Sequence, residues 1–283
     1  MNNKHKISVL FQRIFYAVCH PLVAISELLS YPIGYIFKRI HMKYLFSKAD
    51  FFNIPIYIIS YNRLTYLKQM LSWLENYGYK NIVIIDNHSD YEPLLSFYET
   101  CPYKVIRMEK NYGHTVFYKA PCFFWKRLFS FYIITDPDLS PVENCPGNFV
   151  EVFMRIMFKY PNFYKVGFSL KIDDISDEYY LKNEVIAWEK QFYRKLISSS
   201  PYIIYKANID TTFALTAPSL YKLAQSRLKA IRTGEPYQLR HLPWYVTERD
   251  AEGNNYITTM RQDVGTWNGN RTQEDISSWI NKY

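Results

Sequence analysis

Apolar side chains repeat at helical spacing twice within the first fifty positions. Ile7, Leu10, Phe11, Ile14, Phe15 and Val18 form one stripe, and Ile33, Ile36, Phe37, Ile40 and Tyr44 form another. Each is the i, i+3, i+4, i+7 signature of a helix with one apolar face. Pro21 is expected to end or kink the first helix, and the second stripe follows Pro32. From Asn53 onward the period changes. Apolar runs at Asn53–Ser60, Asn81–Ile85, Lys104–Met108 and Phe131–Thr135 read as short buried strands. Between them, Leu64, Leu67, Leu71 and Leu74 mark one helix, with Asn62 as its expected N-cap. A second helix is expected over Tyr91–Glu99 and a third ending near Phe129. Strands alternating with helices predict an α/β fold with a mainly parallel sheet and right-handed crossovers. The second half is less regular. Helices are predicted over Asn148–Tyr160, Leu181–Ile197 and Pro218–Ile231, and strands at Lys165–Leu170, Tyr202–Tyr205 and Thr211–Leu215. Asp250–Asn270 reads as a polar loop or lid, and a last helix is expected from near Gln273.

The 283 residues suffice for one large α/β domain with an appendage. The expected division is a helical segment over 1–50 and a domain over 51–283, whose halves are 51–141 and 142–283. Hydrophobic content of 48% is enough for a sizeable core and excludes wholesale disorder. Of the net charge of +8, much lies in residues 1–50, with seven Lys/Arg against two acids. A general nucleic-acid binder is therefore not expected. Amphipathic basic helices on an anionic membrane surface are. Two other readings of the segment stand beside that one: helices that cap the domain or form a dimer, and a bilayer span over Ile14–Phe37, interrupted by His20, Glu27 and two prolines. No small-residue cleavage site marks a secretory signal. Cys19, Cys101, Cys122 and Cys145 have no zinc-like spacing and imply a reducing compartment.

The sharpest chemical signal is at Phe131–Pro141, where an apolar run stops at Asp136-Pro137-Asp138. Residues i and i+2 of an extended chain share a face, and Pro137 keeps Asp136 extended. Two hard oxygen donors then converge at a strand exit, where open α/β sheets place their ligand crevice. Such a pair can hold a divalent cation against a diphosphate. A polar turn is the competing reading of Asp-Pro-Asp alone.

Four stretches together resemble glycosyltransferases of the GT-A, Rossmann-like fold, close to the family 2-like group. Tyr61-Asn62-Arg63 resembles the Tyr-Asn-Arg motif of the nucleotide pocket. Asp86 ends the second strand where the family places its first acid. Asn111-x-Gly113, with Ala120 beyond it, resembles the segment before the metal strand, and Asp136-Pro137-Asp138 falls at the Asp-x-Asp motif. The resemblance covers about residues 54–141. It implies a nucleotide diphosphate sugar as donor, a Mn²⁺ or Mg²⁺ ion, and a glycan or lipid-linked acceptor. It also implies a cytoplasmic setting at the inner face of the cell membrane, in bacterial surface polysaccharide assembly. Asp138 is the expected direct metal ligand, Asp136 the contact to ribose and metal-bound water, and His241 a late ligand of metal or diphosphate. A histidine ligand shifts the choice from Mg²⁺ towards Mn²⁺.

An inverting transferase needs a carboxylate base, and no clean Glu-Asp pair stands at the family's position. Asp210, before Thr211–Leu215, is the first choice. Asp173 and Asp174 are the next, because a buried like-charged pair would raise one pKa. Glu235 is the fourth. Arg240 is a candidate for phosphate, Trp188, Trp244 and Tyr245 for stacking on an acceptor sugar, and His88 and His114 for contact near the nucleotide. Two further readings compete: an inactive relative acting as a scaffold at the membrane, and a sugar nucleotidyltransferase. Ser60–Leu64 lacks the glycine a triphosphate loop would need.

Overall fold

The computed structural model describes residues 21–48, 50–179, 181–219, 230–246, 248 and 250–261, with the backbone alone at 21–32, 34 and 35. The expected helix over residues 7–18 and the one from Gln273 lie outside these residues.

Strands β1 (Ile56–Ser60), β2 (Ile82–Asp86), β3 (Lys104–Arg107) and β4 (Tyr132–Thr135) are parallel and adjacent in the order β3-β2-β1-β4. Every residue of β1 and β4 is buried, as expected of a parallel sheet covered on both faces. The sheet continues beyond β4 through β9 (Ala214–Thr216), which is antiparallel to both β4 and β6 (Lys165–Leu170). Next come β10 (Ala230–His241), parallel to β6, and the edge pair β8 (Ile204–Lys206) and β7 (Leu196–Ser198). A short β5 (Leu139–Pro141) pairs antiparallel with the end of β10. The result is a mixed α/β architecture around one ten-stranded sheet. Gly167 allows the close β6–β9 approach, because a Cβ there would meet the Phe213 carbonyl at 2.4 Å.

The helices sit where their apolar faces dictate. In α2 (Leu64–Asn76), Leu67, Met70, Leu71 and Leu74 are buried at helical spacing. A short α3 (Glu92–Thr100) follows β2. Between β3 and β4 the chain forms two short helices, α4 (Val116–Lys119) and α5 (Phe124–Phe129), instead of one. Pro121 interrupts them. In α6 (Phe149–Lys159), seven side chains are buried, each contributing about 1.5–3 kcal/mol if large and apolar. Its Phe149 and Phe153 meet Phe168 and Phe213 edge-on or tilted, which joins helix and sheet in one core.

Several expectations change. The helix predicted over Leu181–Ile197 is α7 (Lys182–Glu189), followed by a 3₁₀ turn and β7. The tail of the helix predicted over Pro218–Ile231 is strand, since Ala230 and Ile231 pair with β6 and β8, and 220–229 lies outside the described residues. Part of the predicted polar loop is α8 (Ala251–Thr259), whose N-cap Asp250 accepts from Gly253 N at 2.8 Å. At the start of the chain, α1 (Pro21–Lys48) runs unbroken past Pro32. Met42 of α1 is fully buried in the main core, and Phe46 meets Phe158 of α6 edge-on. Among the described residues no helix is long and apolar enough to cross a membrane.

Candidate active site

A cleft of about 870 Å³ opens at the carboxyl ends of the parallel strands. Its wall includes Tyr61, Arg63, Asn111, Gly113, His114, Asp136, Asp138, Asp210 and His241. These come from both halves of the chain, and the sheet topology explains how. Because β9 runs antiparallel to β4, the loop before β9 arrives where β4 ends. Asp136 N donates to Thr211 O at 3.1 Å, and the Thr211 hydroxyl donates to the Asp136 carboxylate. Asp210 is thereby set beside Asp136. Lys165, at the start of β6, fixes this loop from below, its Nζ donating to the carbonyls of Ile209 (3.1 Å) and Asp210 (2.5 Å). Burial lowers the Lys165 pKa to about 8.

The β5–β10 pairing brings in His241 the same way. His241 stands opposite Leu139, and Leu242 N donates to Asp138 O at 2.8 Å. His241 Nε2 then lies 3.5 Å from Asp138 Oδ2. Successive strand residues point to opposite faces. Arg240 therefore turns the other way, to Glu143 (2.7 Å) and Asp174 (2.6 Å). It takes no place in the cleft, contrary to the expectation of a phosphate contact.

At the cleft floor, Arg63 Nη1 lies 2.7 Å from Asp138 Oδ2. The guanidinium stacks on Tyr256 of α8, 3.8 Å from the ring centroid. Burial, then the neighbouring Asp138 charge, raises the Asp136 pKa well above the carboxylate range. Burial holds the His241 pKa below its ordinary value. Three buried atoms around this point have no hydrogen-bond partner: Asp138 Oδ1, Arg63 Nε and His241 Nδ1. Such orphaned atoms are costly and call for a partner from outside the chain. A divalent cation fits here between Asp138 and His241. Among the described residues no three His, Cys, Asp or Glu side chains gather to hold a metal alone. The remaining ligands would have to come from a diphosphate and water.

The other predicted residues fall into two groups. Asn62 and Asp86 brace the cleft from behind. Asn62 has a positive φ of 47° and is not the N-cap of α2, which is Arg63. Its Oδ1 accepts from Asp90 N and Tyr91 N at 3.0 and 3.1 Å, and its Nδ2 donates to Thr259 Oγ1 at 2.9 Å. Asp86 is fully buried and accepts from Arg107 Nε (3.1 Å) and Ser89 N (3.2 Å). Gly113 carries the positive φ of 71° that favours glycine, and Asn111 Oδ1 accepts from its N at 2.8 Å. Ala120 is buried in the core beneath.

The second group lies elsewhere. Asp173 is exposed and ion-paired to Lys171 at 2.8 Å, whose hydrogen bond lowers its pKa. The expectation that burial with Asp174 raises one of the two pKa values is thus corrected for Asp173. Asp174 accepts from Arg240 and from the Tyr245 hydroxyl (2.5 Å). Glu235 faces Asn144 in a separate small pocket. Of the four candidate bases, Asp210 alone lines the cleft. Trp188 and Trp244 line it too, whereas Tyr245 does not, and His88 sits outside it with Nδ1 3.3 Å from Met108 O.

Several site residues escaped the sequence reading. Thr211 and Lys165 carry no motif. Arg232 and Glu189 form a buried ion pair at 2.9 Å on the cleft wall, with Arg232 stacked 3.9 Å from Phe192. From α8, Glu252 accepts from Thr65 N at 3.0 Å and so caps α2, while Tyr61 OH donates to Thr259 O at 2.7 Å. Arg261 donates to Asn111 O at 3.0 Å. A capping box depends on spacing of a few residues, whereas this cap comes from a residue 187 positions away. No family model matches this chain, and a search of curated proteins returns no significant match.

Proposed function

We propose that this chain is a glycosyltransferase of GT-A type, which moves a sugar from a nucleotide diphosphate donor to a glycan or lipid-linked acceptor in bacterial surface polysaccharide assembly. One observation carries the reading. Asp136, Asp138, Tyr61, Arg63, Asn111, Gly113 and Asp210, drawn from separate parts of the chain, meet in one strand-end cleft. The antiparallel β9 between β4 and β6 is in keeping with the GT-A reading.

The roles follow from position. Tyr61, Asn111 and Gly113 edge the donor side. Asp136, hydrogen-bonded to Thr211, faces ribose or bound water. Asp138 and His241 would hold Mn²⁺ or Mg²⁺, which supplies charge neutralisation for the departing diphosphate. Arg63 offers a second positive group to the same oxygens. Asp210, on the loop tied down by Lys165, takes the proton from the acceptor hydroxyl as its oxygen bonds to the anomeric carbon and the sugar–phosphate bond breaks. Trp188 and Phe192, which also line the cleft, offer an apolar surface for the acceptor ring. The setting is peripheral, at the cytoplasmic side of a membrane.

A thermal-shift screen of nucleotide diphosphate sugars, with and without Mn²⁺, tests this reading. A ligand that binds the folded state raises the midpoint by mass action. The expected result is a Mn²⁺-dependent rise that Asp138→Ala removes. No rise with any donor sinks the transferase reading. The Arg63–Asp138 ion pair favours the inactive-scaffold reading, which predicts no nucleotide-sugar binding while binding to vesicles is retained.

A further inference from the structure

An amphipathic helix on a protein surface ordinarily turns its charges to water and its apolar side to the core. The C-terminal half of α1 keeps Met42 and Phe46 on the core but departs from that rule in two ways. Lys38 is fully buried, and its Nζ donates to the carbonyls of Pro161 (3.1 Å) and Phe163 (2.6 Å) over the Tyr164 ring. Arg39 also turns inward, with Nη1 2.9 Å from Phe158 O. Ile33, Ile36, Phe37, Ile40 and Tyr44 point outward, each more than half exposed. Lys43 and Lys48 are exposed along the two edges of that stripe, and residues 28–49 contain no acid.

The short helix α5 has the same character. Phe124, Trp125 and Phe129 are exposed, Trp125 at 64%, and the Trp125 and Phe129 rings stack at 5.8 Å. Lys119 and Lys126 are exposed beside them. The chain just beyond α5 reaches α1: His41 packs edge-on against Phe131, two residues past the end of α5, at 5.2 Å.

We propose that α1 and α5 together form the face by which the protein lies on an anionic phospholipid bilayer. Phe37, Ile40, Tyr44, Trp125 and Phe129 sit at the acyl boundary, and Lys43, Lys48 and Lys126 sit among the headgroups. This rests on the peripheral setting proposed above and adds a second element to it. A second copy of this chain is another occupant such a face admits. Charge decides against it. A two-fold contact uses the same patch on both copies and would set like lysines together with no acid in residues 28–49 to offset them. An anionic surface attracts every one of those lysines. Aromatic rings with one polar end also suit the bilayer interface.

Co-sedimentation of the full chain tests the face, with vesicles of phosphatidylcholine alone and of phosphatidylcholine and phosphatidylglycerol in equal parts. The chain is expected to bind the second and not the first, and less at high salt. Phe37→Glu with Ile40→Glu is expected to lower the bound fraction about tenfold, and Trp125→Ala with Phe129→Ala several-fold. All four positions are exposed, and an unchanged near-ultraviolet circular dichroism spectrum marks a folded variant. Nucleotide binding is expected to be unchanged in both variants. Equal binding to neutral vesicles, or full binding by the α1 variant, overturns the proposal. Full binding by the α5 variant alone overturns the two-element face and leaves the peripheral setting standing. Binding to neither vesicle overturns both. A dimer that Phe37→Glu with Ile40→Glu dissociates, without vesicle binding, assigns the face to a second copy.

Discussion

The cleft and the outer face of α1 depart from an ordinary protein surface in opposite directions. The cleft holds buried polar atoms with no partner, at Asp138 Oδ1, Arg63 Nε and His241 Nδ1. On α1, large apolar side chains face outward while Lys38 is inside. Each arrangement is unfavourable for the chain alone: unpaired buried polar atoms lose their hydration, and exposed apolar surface orders water. Each becomes favourable with an occupant of matching chemistry, ionic in one place and apolar in the other. Local rules of packing are broken where a sequence serves something beyond its own stability. The two regions also differ in how they are built. The cleft is assembled from loops distant in sequence, whereas the α1 stripe lies within one helix.

The contrast can be broken at either end. The largest effect is expected at the ionic site. Asp138→Ala should lower kcat for sugar transfer by about 10²–10³-fold, a loss read by product formation at saturating donor and metal. Retained turnover would remove Asp138 from the chemistry. Asp210→Asn should cost about 10²-fold in kcat with donor affinity unchanged, which a pH–rate profile and a thermal-shift titration together resolve.

Lys38 sharpens the other end. The folded chain releases its proton near pH 7, the unfolded chain near the ordinary 10.5. Between these values the unfolded state binds more protons, so stability rises with pH, by about 1.4 kcal/mol per pH unit. Lys38→Met should remove that rise, as urea unfolding at a series of pH values would report. An unchanged slope would show that Lys38 is not the group responsible.

Arg63→Ala should tighten Mn²⁺ binding about tenfold without nucleotide, because it frees Asp138 Oδ2. Isothermal titration would detect this, and equal affinity would mean that Arg63 does not compete with the metal. The smallest effect is expected at Glu252→Ala, which uncaps α2 and should cost about 1 kcal/mol in chemical denaturation.

The first half of the fold was legible in the sequence because three of its four parallel strands are buried on both faces. Ile56–Ser60, Ile82–Asp86 and Tyr132–Thr135 read as short apolar runs bounded by polar residues. The same runs pointed to the cleft, since polar residues collect where parallel strands end. The second half was less legible. Ala230 and Ile231 look helical in the local pattern and are strand through pairing with β6 and β8. Asp173, Asp174 and Glu235 were credible bases by type and place after a strand or helix. Their ion pairs with Lys171 and Arg240, and the small pocket at Glu235, are long-range or face-dependent facts.

The sequence by itself determined the alternating α/β order, the strand-end acids Asp136 and Asp138, and the apolar stripe of α1. Each depends on spacing within a few residues, and backbone geometry translates such spacing directly into a shared face. Only the tertiary structure decided which side of α1 is covered, and that Lys38 is on it. It also selected Asp210 over the other acids and brought His241 to Asp138. Those outcomes depend on an antiparallel β9 and on the β5–β10 register. A one-residue slip in that register would exchange the faces of Arg240 and His241, and no local pattern encodes it.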